Sequence, residues 1–238
     1  MNPANERFVI DAPPQPAVPV VGGGLFPVRR IYCVARNYAA HAREMGGDPS
    51  REAPFFFAKP ADAVLPANEA ECVRFAYPPG TTDVHHELEL VVALGGGGEN
   101  LSLDQARECI WGYAVGLDMT RRDLQAEAKA KGRPWDIAKA FDDAAPLSAI
   151  RSMKGIVLNS GEIHLAIDGA MRQSGDLGDM IWSVPEIIAF LSRYFRLRPG
   201  DLIFTGTPEG VGPVHVGERL DGSIDGVGRL SVEVVAAR

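Results

Sequence analysis

Glycine and proline recur along the whole chain, 26 and 18 times, and cut its apolar runs into short pieces. Long helices do not survive that punctuation, because proline removes a backbone donor and glycine forfeits entropy in a helix interior. Short strands joined by turns tolerate it. Strands are predicted at 30–34, 54–58, 87–94, 113–118, 162–167, 201–205 and 229–235. Asp168-Gly169, directly after the fifth of these, is a hairpin signal, since both residue types accept a positive φ. Helices are few. Ser183-Val184-Pro185-Glu186 opens one as a capping box with an early proline, running to Phe195 before Arg198-Pro199-Gly200 stops it. A second is predicted from Thr120 to Gly132, and a shorter one over 103–110. The expected fold class is mostly β with a few helices (α+β). Residues 12–19, APPQPAVP, read as an extended arm packed across the surface or against a partner.

Apolar residues at 46% and charged residues at 23% fit a folded chain with a substantial core. The net charge of −7, with no clustered basic face, argues against a nucleic-acid partner. No apolar run approaches the ~20 residues of a membrane span, and MNPANERFVIDAPPQPAVPV lacks the pattern of a signal peptide. Cys33, Cys72 and Cys109 are odd in number and far apart, which suits buried thiols in a reducing compartment. A cytoplasmic protein is the expectation.

HHELELVVAL has the β-branched content of a strand, whose side chains alternate between faces. Glu87 and Glu89 therefore share one face, with Leu88, Leu90 and Val92 on the other. Two such charges repel unless something positive sits between them or water solvates both. Asp118 ends the apolar run GYAVGLD just before a helix start, where an Asp often serves as the cap. Thr120 is available for capping, which frees Asp118 to join the glutamates. Three carboxylates without paired Cys or a His trio specify oxygen ligation of one divalent cation, Mg²⁺ or Mn²⁺ with Ca²⁺ as the third choice. Three protein ligands leave coordination positions open for water and substrate.

In YAAHAREMGG, His41 and Glu44 stand three apart and share a face if the segment is helical. That is the form of a carboxylate-oriented base, and equally of an exposed ion pair. Gly46-Gly47 suits a mobile lid. Lys59 in PFFFAKP and Lys139 in GRPWDIAKAFD are candidate cations or plain surface lysines. FTGTPEGVGPV is a glycine-rich turn whose amides and Thr207 suit a carboxylate. Gly95–Gly98 lacks the register and the βαβ context of a dinucleotide loop.

In this order, CVARNYAAHAREMG, PFFFAKP, HHELELVVALG, GYAVGLDMTRRDLQ, KGRPWDIAKAFDDAAPLS and the stretch from DMIWSVPE to GTPEGVGPV resemble the fumarylacetoacetate hydrolase family. The likeness covers most of residues 30–235. It implies a mixed β-sandwich roll of that family's C-terminal-domain type, with residues 1–28 an arm and 29–238 the catalytic domain. It also implies Mg²⁺ or Mn²⁺ on Glu87, Glu89 and Asp118, catalytic roles for His41, Glu44 and Lys139, and a homodimer. Arg122, Gln125, Lys59 and Thr207 fall where the family contacts substrate, and Arg36 or Arg122 is placed to receive a distal carboxylate. Ala35, where Gly is usual, and Ala140, where Ser or Gly is common, depart from the family pattern. The implied reaction is hydrolysis of a carbon–carbon bond in a β-diketo acid, as in fumarylpyruvate giving fumarate and pyruvate. Rivals are decarboxylation of an oxaloacetate-like acid, isomerisation of a hydroxymuconate-type diacid, and a non-catalytic Ca²⁺-binding β module.

Overall fold

A computed structural model describes residues 8–39 and 52–237. Its largest sheet runs in the order Phe55–Lys59, Arg30–Ala35, Asp201–Phe204, Leu88–Leu94, Ile110–Leu117, Ala145–Leu147, Val64–Pro66. Two of these pairings are parallel, Asp201–Phe204 with Arg30–Ala35 and Ala145–Leu147 with Val64–Pro66; the other four are antiparallel. A second sheet runs Ala170–Asp176, Glu162–Ile167, Arg219–Ile224, Gly228–Val235, Cys72–Ala76. Asp168 and Gly169, at φ 50° and 79°, make the predicted hairpin turn.

The two sheets pack face to face. Leu88, Leu90, Val92, Tyr113, Val115 and Leu117 meet Ile163, Leu165, Leu220 and Val232 in one buried cluster. The sheets approach so closely that a Cβ on Gly222 would lie 2.6 Å from Leu88 Cδ1. The opposite face of the large sheet presents Ile31, Cys33, Val91, Ala93, Ala114, Leu202 and Phe204 to a second cluster. The proline-rich arm covers it: Ala17–Pro19 pairs with Leu25–Pro27, and Val18 and Phe26 are buried there. Ile150 N donates to Pro19 O at 2.8 Å and pins the arm in place. The observed fold is thus mostly β, two curled sheets with short helices at the margins, as the sequence predicts.

Helices span Leu103–Glu108, Arg122–Ala130, Asp136–Lys139 and Val184–Leu191. Glu186 accepts from Ser183 N at 2.9 Å and from Ser183 Oγ at 2.7 Å, so the capping serine stands where expected. Thr120 does not cap the helix after it. Thr120–Arg121 is extended and pairs with Val84–His86, and the Thr120 hydroxyl donates to Asp118 O at 3.0 Å. The first turn holds Asp123 instead, whose carboxylate accepts from Leu124 N at 2.8 Å and Thr81 Oγ1 at 2.6 Å. Glu87 falls between strands, because Val84–His86 pairs in a separate three-stranded sheet before Leu88–Leu94 enters the large one. Three-residue strands such as Val64–Pro66 and Ala145–Leu147 escape prediction; each is held by its neighbour in the sheet and has too few residues for a period of its own.

Candidate metal centre and pocket

Strand register assembles the carboxylates. Leu88 pairs with Leu117 and Glu89 with Gly116, so Glu87 stands opposite Asp118, whose N–H donates to Glu87 O at 2.8 Å. Alternation then turns Glu87, Glu89 and Asp118 to one face, away from the inter-sheet core. Gly116 leaves space beside Glu89, since a Cβ there would lie 2.6 Å from Val91 Cγ2 and 2.8 Å from Phe204 Cε1. All three acids are buried, and one oxygen from each lies within 4.8 Å of the others.

Three cations face these three acids. Lys139 Nζ donates to Glu87 Oε2 at 2.8 Å and Asp118 Oδ2 at 2.7 Å. Arg122 Nη2 donates to Glu87 Oε1 at 2.5 Å, and its Nη1 to Gln125 Oε1 at 2.5 Å. Lys59 Nζ lies 2.8 Å from Asp118 Oδ1 and donates to Met119 O and Lys139 O. Gly206 N donates to Glu89 Oε2 at 2.7 Å, so the glycine turn does meet a carboxylate, here one of the protein's own. Gly206 is at φ 97° and a Cβ would come 2.7 Å from Asn37 Cβ, so this close approach of backbone requires glycine.

The electrostatics are uneven. Burial, with Asp118 and Glu87 adding repulsion, pushes the Glu89 carboxyl well above its ordinary range. Burial pulls the Lys139 ammonium down, but Asp118 and Glu87 outweigh it and leave a net rise, so Lys139 stays protonated at neutral pH. Among the described residues Asp118 Oδ1 is buried with no hydrogen bond, its charge faced by the Lys59 ammonium 2.8 Å away. An under-supported set of hard oxygen donors in a buried, repulsive cluster fits one divalent cation.

Glu87 and Glu89 line a pocket on this face, and Asp118, buried beside them, does not. Arg36, Phe57, Arg122, Gln125, Lys139 and Thr207 line it. Arg36, at φ 58°, is exposed on the rim. Lys59 does not line it and lies behind Asp118. Lys129 and Trp135 do line it, and neither stands out in the sequence. Spacing offers a signal for Lys129, which follows Gln125 by four residues and Arg122 by seven along one helix face. Trp135 packs against Phe55 and Phe57 at ring distances of 5.2 and 5.9 Å, and Lys139 Nζ sits 5.0 Å above Phe57. His41 and Glu44 lie outside the described residues.

The family model described as Fumarylacetoacetate (FAA) hydrolase C-terminal matches residues 30–235. A fumarylpyruvate hydrolase of Ralstonia sp is 46% identical over 187 residues, 79% of this chain and 95% of that one. A mitochondrial oxaloacetate tautomerase of Arabidopsis thaliana is 41% identical over 207 residues, 86% of this chain and 90% of its own. The crystal structure of fumarylpyruvate hydrolase from Pseudomonas aeruginosa, in complex with Mn²⁺ and pyruvate, superposes with a TM-score of 0.94 at 53% identity, covering 97% of this chain and 100% of that one. These likenesses leave no room for a non-catalytic calcium module. The chain is an enzyme and belongs to the fumarylacetoacetate hydrolase family.

Proposed function

We propose that this enzyme hydrolyses a carbon–carbon bond in a β-diketo acid, with fumarylpyruvate as substrate and fumarate and pyruvate as products. One observation carries the reading: three buried acids are matched by three cations, and Glu87, Glu89, Arg122 and Lys139 of that cluster line a pocket that Arg36 and Lys129 also line. With all three acids ionised, the cluster and its paired cations are neutral overall. A dication held by Glu87, Glu89 and Asp118 would leave it doubly positive, which suits a dianionic substrate such as a diketo diacid. The P. aeruginosa relative's complex with Mn²⁺ and pyruvate supports Mn²⁺ or Mg²⁺ as the cation.

A bound dication supplies Lewis-acid polarisation of neighbouring oxygens, worth several kcal/mol of barrier. Thr207 and Arg122 orient the pyruvyl end, and Arg36 with Lys129 receives the distal carboxylate by charge. His41, oriented by Glu44, takes a proton from a water that attacks the distal carbonyl carbon; such base catalysis contributes roughly 10²–10⁴-fold. Lys139, held protonated, and the Gln125 amide stabilise the oxyanion of the tetrahedral adduct. When the adduct collapses, the bonding pair leaves as the pyruvyl enolate, and a proton delivered to its carbon gives pyruvate. Lys59 works through Asp118 and keeps that carboxylate in place. In this reading residues 29–238 are the catalytic domain, 1–28 an arm, and the enzyme is a cytoplasmic homodimer.

The second reading is oxaloacetate tautomerisation or decarboxylation. It is favoured by the Arabidopsis relative and by the fit of the same charges to a β-keto diacid. Protein stripped with EDTA and reloaded with Mn²⁺ or Mg²⁺ is offered fumarylpyruvate, acetylpyruvate and oxaloacetate, with products followed by NMR. Equimolar fumarate and pyruvate are expected; turnover of oxaloacetate alone would overturn the hydrolase. His41→Ala should cut turnover by about 10²-fold or more while Mn²⁺ affinity stays near wild type. Parallel loss of both would sink the division of labour.

A further inference from the structure

Gln173 comes from the second sheet, on Ala170–Asp176, and is wholly buried. All its hydrogen-bonding capacity is spent on the elements that carry the site. Its Oε1 accepts from Leu88 N at 3.0 Å, between the two glutamates, and lies 3.0 Å from His86 Nδ1. Its Nε2 donates to Pro208 O at 2.9 Å and to Thr207 Oγ1 at 2.8 Å. The amide cannot be turned round. Leu88 N–H is only a donor and Pro208 C=O only an acceptor, so each end of the amide has one permitted partner. Because the amide oxygen can only accept, His86 Nδ1 carries a proton and donates it to Oε1.

This parity fixes the Thr207 hydroxyl as well. Its oxygen receives a Gln173 N–H, and among the described residues its own proton is donated to none. Thr207 lines the pocket beside Gly206, whose amide grips Glu89. We infer that Gln173 is a positioning residue, which aims the Thr207 O–H into the pocket as a donor for the carboxylate of an α-keto acid and ties that donor to the Glu87–Glu89 backbone. The inference rests on the proposed function for the class of ligand only.

The test is a double-mutant cycle on Mn²⁺-loaded protein, with pyruvate as the probe and calorimetric Kd as the readout. Gln173→Glu keeps both acceptor contacts but offers no N–H, so the Thr207 proton turns back onto the introduced carboxylate. Thr207→Val removes the hydroxyl. A hydrogen bond to a charged group predicts that each weakens pyruvate binding about tenfold. Thr207→Ser should bind like wild type. The combined Gln173→Glu and Thr207→Val protein should bind no worse than Thr207→Val alone. If Gln173→Glu does not fold, Gln173→Met takes its place in the cycle. An equal Gln173→Glu loss with and without the Thr207 hydroxyl would overturn the inference, because a stray charge or a purely structural defect acts in both backgrounds. A coupled cycle in a protein that leaves fumarylpyruvate uncleaved would fell the substrate reading alone. Normal cleavage with an additive cycle would fell the role of Gln173 alone.

Discussion

Leu90 and Glu89 are neighbours on one strand, at 0% and 2% exposure, and they load the fold in opposite directions. Leu90 points between the sheets, where Val115, Leu165 and other apolar side chains share its cluster. Glu89 points to the other face, against two more carboxylates and, among the described residues, one backbone donor from Gly206. Burial on the first face gains the free energy of removing hydrocarbon from water, about 25 cal/mol per Å². Burial on the second face costs free energy, because a charge leaves water and meets like charges. Stability and function are therefore written on opposite sides of a few residues.

The largest expected effect comes from neutralising the costly side. Glu89→Gln removes one of three hard ligands and should lower turnover at least ~10²–10³-fold, with weakened Mn²⁺ binding by titration. In EDTA the same protein should melt above wild type, since a like charge has left the cluster. pH sharpens this. In the fold the Glu89 carboxyl is held well above the value of about 4.3 that it has in the unfolded chain. The folded state thus retains a proton that the unfolded state releases. This contribution to stability is full below about pH 4.3 and is lost as pH rises through the raised folded value. Urea denaturation in EDTA from pH 5 to 8 should show stability falling more steeply in wild type than in Glu89→Gln. Parallel slopes would refute the asymmetry.

Much of the molecule is legible in the sequence because periodicity and turn chemistry are local. Residues 162–167 and the Asp168-Gly169 turn stand where their pattern predicts, and Glu87 and Glu89 share a face because strands alternate. Asp118 reaches the same cluster by a route the sequence does not disclose. Thr120 is no helix cap and bonds to Asp118 O; the pairing of Leu88 with Leu117 is what sets Asp118 opposite Glu87. Register depends on two segments some thirty residues apart, so no local pattern contains it. Gln173 is invisible for the same reason, as its four partners come from other stretches of chain. Lys59 reads as a pocket lysine; only the packing shows it behind Asp118.

Next in size is Leu90→Ala, the complementary cut on the apolar face. It should cost about 2–5 kcal/mol of unfolding free energy, read from the urea midpoint with and without Mn²⁺. Its turnover per folded molecule should stay near wild type, because no atom of Leu90 faces the acids. A loss of specific activity comparable to that of Glu89→Gln would mean that the two faces are mechanically linked through the strand.

The smallest effect tests whether burial, rather than charge, makes the acidic face matter. Arg219 and Asp221 form an ion pair on Arg219–Ile224, with Nε 3.1 Å from Oδ2. Both side chains are about half exposed, at 56% and 45%. Water already solvates each charge, so the pair gains little by meeting, and ordering two flexible side chains offsets part of that gain. Arg219→Ala should therefore shift unfolding free energy by less than about 0.5 kcal/mol, with the difference shrinking further in added salt. Lys139 makes contacts of similar length to Glu87 and Asp118 at 2% exposure, where no solvent stands in for a lost partner. If Arg219→Ala proved as damaging as a change in that cluster, distance alone would govern these pairs and the contrast between the two environments would collapse.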